Sequence, residues 1–294
     1  MAITLLEASF TSAALVAPAL ALGLQAPSEP PVPAAETVTV AEQVLDFPLP
    51  GEFLAGGRPA AAPTTSEDVA AFRITKHQVS LADYQRCVAA GACARADARP
   101  TQDDVPVTGV NWTDAQAYAK WYSETSGGKW RLPTALEAAA AAGERFGGES
   151  FSAGADDPSN PAVRWIRRYR EEAAAKRPAD PTPKPRGHYG PNSLGVEDFG
   201  GNVWEWTSTC YSRVTLNAEG GVESAVENCG VHVLEGRHRA YMSNFVRDGK
   251  SGGCAVGTPP ENLGFRMVRD DGGLPAIAAL KARLRSVIDM FRYS

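Results

Sequence analysis

The sequence is poor in the residues that most self-contained catalytic centres need. It has four histidines in 294 residues (His77, His188, His232 and His238), and no two are spaced as a metal-binding pair. It has no His-Glu-x-x-His, Cys-x-x-Cys, EF-hand loop or Gly-x-Ser-x-Gly. The helix-borne zinc proteases, dithiol oxidoreductase motifs, EF-hand sensors and serine-hydrolase elbows are therefore not readable in it. Gly249-Lys250-Ser251 looks like the end of a phosphate-binding loop. Asn244 stands where that loop's first glycine belongs, and no strand-to-helix context is evident, so that reading is rejected. A basic surplus is also lacking. Lys and Arg total 29 against 34 Asp and Glu, a net charge of −5, which gives no support to nucleic-acid binding. Long apolar runs are missing too. The one candidate, residues 11–26, carries Pro18 and is shorter than a spanning helix needs. It reads as a secretory leader with Ala19-Leu20-Ala21 as the cleavage site, although residues 1–10 hold no Lys or Arg. A periplasmic or secreted protein without a membrane span is expected.

The composition itself is that of an ordinary globular protein, 44% hydrophobic and 21% charged. Gly 28 and Pro 22 point to a loop-rich fold with few long helices. After a leader over 1–26, residues 27–44 read as a linker, 45–270 as the domain and 271–294 as an amphipathic C-terminal helix. That helix would carry Ile277, Leu280, Leu284, Ile288 and Phe291 on one face. Residues 164–170 form a basic run ahead of a Pro-rich stretch, read as a charged surface turn. Five cysteines are present. Cys87 and Cys93 are close enough in sequence to close a small loop, and Cys210 and Cys229 flank an insertion. Such pairs fit an oxidising compartment, and Cys254 is the odd thiol. Spacing alone leaves the connectivity open.

Local signals place three short helices between strands. Ser80 caps a helix over 81–90 that Gly91 stops. Thr113-Asp114-Ala115-Gln116 and Thr134-Ala135-Leu136-Glu137 read as capping boxes opening the second and third helices. Residues 72–79, 231–234 and 262–269 read as strands, 60–68 and 211–228 as loops, and 235–239 as a polar turn. The organising stretch is 192–207, where Gly200-Gly201 turns into an alternating run. In a strand, Asn202, Trp204 and Trp206 would share one face and Val203, Glu205 and Thr207 the other. Glu205 would then point back toward the turn holding Asp198, and two carboxylates with turn carbonyls make an all-oxygen set of the kind hard cations prefer.

Several segments, in order, resemble the formylglycine-generating, sulfatase-modifying-factor family. They are Pro50-Gly51-Glu52-Phe53 with Gly56, residues 76–84, residues 106–121, Arg131-Leu132-Pro133-Thr134 with Glu137, residues 192–207 and residues 262–266. The resemblance implies a loop-rich α+β fold of C-type-lectin-like kind, monomeric, acting on a peptide or protein substrate. It implies a structural calcium held by the side chains of Asp198 and Glu205 and the carbonyls of Gly201 and Val203, with Trp204 lining the substrate groove. The departure lies in the later loop. The family's oxidases hold copper with two cysteines five residues apart, and those positions fall here on Asn244 and Gly249. Soft thiolates select copper(I), so no copper is expected. Cys254 resembles a structural cysteine whose usual partner position holds alanine. Cys254, His238, Glu235 and Arg266 are the candidate participants in any reaction. The resemblance therefore implies either an exported maturation factor that modifies or oxidises a partner, or a non-catalytic binding module.

Overall fold

The computed structural model describes residues 32–97, 104–148, 182–249 and 262–270. The expected leader, residues 164–170, Cys254 and the C-terminal segment 271–294 lie outside them. Among the described residues no helix is long and apolar enough to cross a membrane.

Three antiparallel or mixed sheets carry the architecture. The first has the order β1 (Thr37–Val40), β6 (Phe72–Thr75), β12 (Val268–Arg269) and β7 (Trp130–Arg131). The second pairs β2 (Gln43–Pro48) with β5 (Thr64–Val69). The third runs β10 (Ala240–Ser243), β9 (Val222–Glu235), β8 (Trp204–Leu216), β3 (Glu52–Ala55) and β4 (Arg58–Ala60), with β11 (Leu263–Gly264) joined to the start of β8. Three helices pack between the sheets: α1 (Leu81–Ala89), α2 (Trp112–Ser126) and α3 (Ala135–Ala142).

The helix ends follow side-chain chemistry. The Ser80 hydroxyl accepts from the Asp83 amide, and Gly91 takes φ +72° just beyond α1. Thr134 and Glu137 cap α3 reciprocally, and Glu137 also takes Arg131 with both oxygens at 2.6 and 2.7 Å. The second box sits two residues earlier than the sequence suggested. Asn111, not Thr113, is the N-cap, accepting from the Asp114 amide at 2.8 Å while Asp114 accepts from the Asn111 amide at 2.9 Å. Asn and Asp satisfy orphan amides as well as Thr and Gln do.

Strands replace two expected loops. Residues 37–40 are β1, hydrogen-bonded to β6. Residues 60–68 hold most of β5. Residues 211–228 are a long hairpin of β8 and β9 closed by Asn217, whose side-chain oxygen accepts from the Glu219 and Gly221 amides. The expected strand 262–269 splits between two sheets as β11 and β12. One apolar core packs α1, α2 and the strand residues Trp204, Trp206 and Leu263. A second packs α3 against Val40, Phe47, Ile74 and Val233.

Candidate functional site

The start of β8 is where the fold is most constrained. Trp204 and Glu205 pair with Leu263 and Gly264 of β11 on one side, and Glu205 and Trp206 with Glu235 and Leu234 of β9 on the other. Residues 203–207 are all buried. The alternation is therefore real but both faces are interior, so the two indoles are core residues. Trp206 donates its indole N–H to the Val110 carbonyl at 3.0 Å and Trp204 to the His238 carbonyl at 3.0 Å. Asn202 does not share their face. It sits before the strand at φ +59°, and its amide exchanges two hydrogen bonds with the Lys184 backbone. Gly264 is required here, because a Cβ would meet the Val107 carbonyl and the Val203 side chain at 2.8 Å.

Glu205 is 2% exposed and faces Arg266, which is fully buried. The guanidinium Nε and Nη2 take the two carboxylate oxygens, the latter at 2.7 Å, and Gln78 Nε2 adds a third bond at 2.8 Å. Arg266 also donates to the carbonyls of Thr75, Lys76 and Glu197. Those contacts account for all five donors a guanidinium carries. It closes over the ring of Phe199 at 5.3 Å. Arg266 is thus a rivet joining three segments.

The other expected participants are equally committed. Glu235 pairs with Arg239 at 2.7 Å, both buried, and Arg239 reaches the Pro48 carbonyl and lies over Phe47. His238 is buried edge-on to Trp204, with ring centroids 5.5 Å apart. Its Nδ1 contacts the Arg239 carbonyl at 2.9 Å, which can only accept, so Nδ1 carries the proton. Cys254 lies outside the described residues. Asn244, at the first position of the expected copper pair, spends its whole amide internally. Nδ2 donates to the Cys229 carbonyl at 2.8 Å and Oδ1 meets His232 Nδ1 at 2.6 Å.

Asp198 holds the turn from within, at φ +60°, a region Asp tolerates. Its carboxylate accepts from the Gly187 and Tyr189 amides. The oxygen chemistry of Asp198, Glu205 and the Gly201 and Val203 carbonyls fits a hard cation. Such an ion would share Glu205 with Arg266. His77, left scattered by sequence spacing, joins Asp198 and Glu197, with one ligand atom of each within 4.8 Å of the others. Burial holds the His77 imidazole below its ordinary value. His77 also faces a second cleft of about 410 Å³ shared with Gln78, Tyr118 and Tyr122.

Beside Trp204 lies a shallow cleft of about 410 Å³ lined by Arg145, Tyr189, Phe199, Gly200, Gly201 and Arg237. The backbone of Gly236 presses on the Trp204 ring, where a Cβ would come within 2.6 Å. Arg237 then stands over the indole, 5.7 Å from its centroid. Trp204 lies under Arg237 at 5% exposure, so the cleft surface is formed by Arg237 and Tyr189 rather than by the indole. Tyr189 and Arg237 were not singled out from the sequence. No local signal in the sequence marks them, because the fold is what brings both to the Gly200-Gly201 turn.

Residues 29–271 match the family described as "Sulfatase-modifying factor enzyme 1-like domain". The chain belongs to this family. It is 30% identical over 189 residues to "Formylglycine-generating enzyme" of Streptomyces coelicolor, covering 61% of this chain and 56% of that protein. It is 34% identical over 187 residues to the protein of the same name in Mycobacterium tuberculosis, covering 58% and 56%. It is also 27% identical over 177 residues to "Inactive C-alpha-formylglycine-generating enzyme 2" of Bos taurus, covering 58% and 52%. The chain thus spans about half the length of these curated relatives. Among solved structures, PvdO from Pseudomonas aeruginosa aligns with TM-score 0.48 at 18% identity over 79% of this chain and 93% of that one. CarF aligns with TM-score 0.44 at 19% identity over 81% and 98%. The α+β fold, with mixed sheets and short capped helices, is consistent with the formylglycine-generating-enzyme, C-type-lectin-like class. Relatives named as active and as inactive both match, so membership alone does not assign catalysis.

Proposed function

We propose that this member of the sulfatase-modifying-factor family is an exported maturation factor that receives a peptide or protein segment at the cleft beside Trp204 and does not perform copper-dependent oxidation. The observation that carries the reading is the state of Asn244. It replaces a copper thiolate with an amide, and both ends of that amide are consumed by Cys229 and His232. Neutral amide and glycine positions offer copper(I) no soft ligand. The buried ion pairs Glu205–Arg266 and Glu235–Arg239 support the same view, since carboxylates held against a buried guanidinium brace a site rather than react in it. The second reading, a non-catalytic binding module on the same fold, draws on the same buried pairs.

The cleft supports recognition chemistry. Arg237 and Tyr189 offer a cation and an aromatic ring at an open surface, which suit an acidic or aromatic segment. Two disulfides, Cys87–Cys93 and Cys210–Cys229, support export to an oxidising compartment. A calcium ion held by Asp198, Glu205 and the carbonyls of Gly201 and Val203 belongs to the same proposal, its role being to stiffen the turn that forms the cleft rim. The experiment is a peptide-array screen on the full chain with Arg237→Glu as the contrast. Acidic or aromatic peptides should bind and lose at least about tenfold in affinity, roughly 1.4 kcal/mol, in the variant. Binding that ignores Arg237, or prefers basic peptides, would contradict the cleft reading.

A further inference from the structure

The β8–β9 hairpin contains a cysteine pair set beside a histidine. Cys210 pairs with His232 in register while the next residue, Tyr211, pairs with Asn228. One step along β8 thus spans four on β9, and the resulting bulge carries Cys229, Gly230 and Val231. The bulge turns Cys229 back onto Cys210, and the two are bridged. Asn244 holds the bulge in place, since its side chain donates to the Cys229 carbonyl and its amide to the Gly230 carbonyl.

Asn244 also fixes the histidine. Because Nδ2 is spent on a carbonyl, Oδ1 faces His232 and can only accept, so Nδ1 of His232 carries the proton. Nε2 is then the lone-pair nitrogen of the neutral ring, and it lies 3.7 Å from Cys210 Sγ. The ring is clamped from the other side by Trp112, nearly parallel at 4.1 Å between centroids. Burial keeps the imidazole below its ordinary value, opposed by the Asn244 bond and by Glu227, the ionised group acting on it, while Trp112 of α2 brings no charge.

The two sulfurs differ. Cys229 is exposed and has the Glu227 carboxylate 3.1 Å away, whereas Cys210 is half-buried against the imidazole. A carboxylate raises a neighbouring thiol's pKa and a basic imidazole stabilises a thiolate, so Cys210 is the better leaving group. By contrast, the Cys87–Cys93 bridge is buried at both ends.

We propose that Cys210 and Cys229 form a thiol–disulfide exchange site for dithiol-bearing peptides or proteins, with His232 as the proton partner of Cys210. A substrate thiolate attacks Cys229 Sγ, the S–S bond breaks, and a mixed disulfide forms at Cys229. Cys210 leaves as a thiolate and takes up a solvent proton relayed through His232 Nε2, the substrate thiol having released its own proton to solvent on forming the attacking thiolate. The substrate's second thiol then displaces Cys229, so one substrate dithiol becomes a disulfide and the protein pair becomes two thiols. Exchange with another disulfide returns the pair to its bridged form. This reading goes beyond the cleft at Trp204 and does not depend on it.

The test uses the full chain equilibrated with graded ratios of reduced to oxidised dithiothreitol, quenched in acid and alkylated, with each cysteine, Cys254 included, mapped by peptide mass spectrometry. Cys210–Cys229 should open at a ratio at least about tenfold less reducing than Cys87–Cys93. Simultaneous opening, or earlier opening of Cys87–Cys93, would overturn the proposal. In a Cys229→Ser chain, Cys210 should be alkylated about tenfold faster at pH 7 than in the same chain with His232→Gln, the effect of one unit in thiol pKa. Equal rates would overturn the role of His232.

Discussion

Removing Arg266 probes the rivet at the start of β8. Arg266→Met keeps much of the side-chain volume and deletes the charge. Glu205, 2% exposed, then keeps a negative charge with Gln78 to answer it, and the carbonyls of Thr75, Lys76 and Glu197 each lose the bond from Arg266, Lys76 keeping the one from the Glu197 amide. Breaking a buried pair from one side costs about 3–5 kcal/mol. For a domain of this size that lowers the thermal midpoint by roughly 6–20 °C. The double variant Glu205→Gln with Arg266→Met removes the stranded charge and should recover at least about 1 kcal/mol relative to the single change. Urea unfolding of the four proteins of the cycle, followed by tryptophan fluorescence in EDTA, measures both numbers. A single-variant cost below about 1 kcal/mol, or additive effects in the cycle, would refute the pairing.

Calcium at the neighbouring turn is checked by thermal melts in EDTA and in excess calcium. The midpoint should rise with calcium, as for any ligand of the native state alone, and Asp198→Ala should abolish the rise; unchanged melts would remove the ion from the account. Stability should also fall as pH drops below 6.5. Burial depresses the folded-state pKa of His232 and His77 from that ordinary value, so the unfolded chain takes up protons first. Their contribution is complete above 6.5 and is lost as pH falls toward the depressed folded values. Urea midpoints across this window should show a shallower slope for His232→Gln; an unchanged slope would count against His232.

The parts of the fold governed by near neighbours were legible. Ser80, Thr134 and Glu137 announce helix starts because caps act over three residues, and Gly91 marks a stop through its own backbone freedom. The hairpin around Asn217 was hidden because Ser212, Arg213 and Glu227 are polar, while what holds a strand pair is the backbone ladder. Strand β5, reading Thr-Thr-Ser-Glu-Asp-Val, was missed for the same reason. At the site, the alternation of residues 203–207 was visible, but its burial on both faces depends on β9 and β11 arriving from distant sequence. The partners of Glu205 and His232 come from tertiary packing, whereas Arg239 lies only four residues from Glu235. No local spacing encodes Arg266, 61 residues from Glu205.

The central claim is that this chain keeps the family's frame without the oxidase's copper chemistry. Anaerobic titration of the full, disulfide-intact chain with copper(I) against a competing chelator tests it most directly. The account predicts no stoichiometric complex, with any residual binding weaker than about 1 nM and unaffected by Asn244→Ala. A one-to-one complex tighter than that would contradict it.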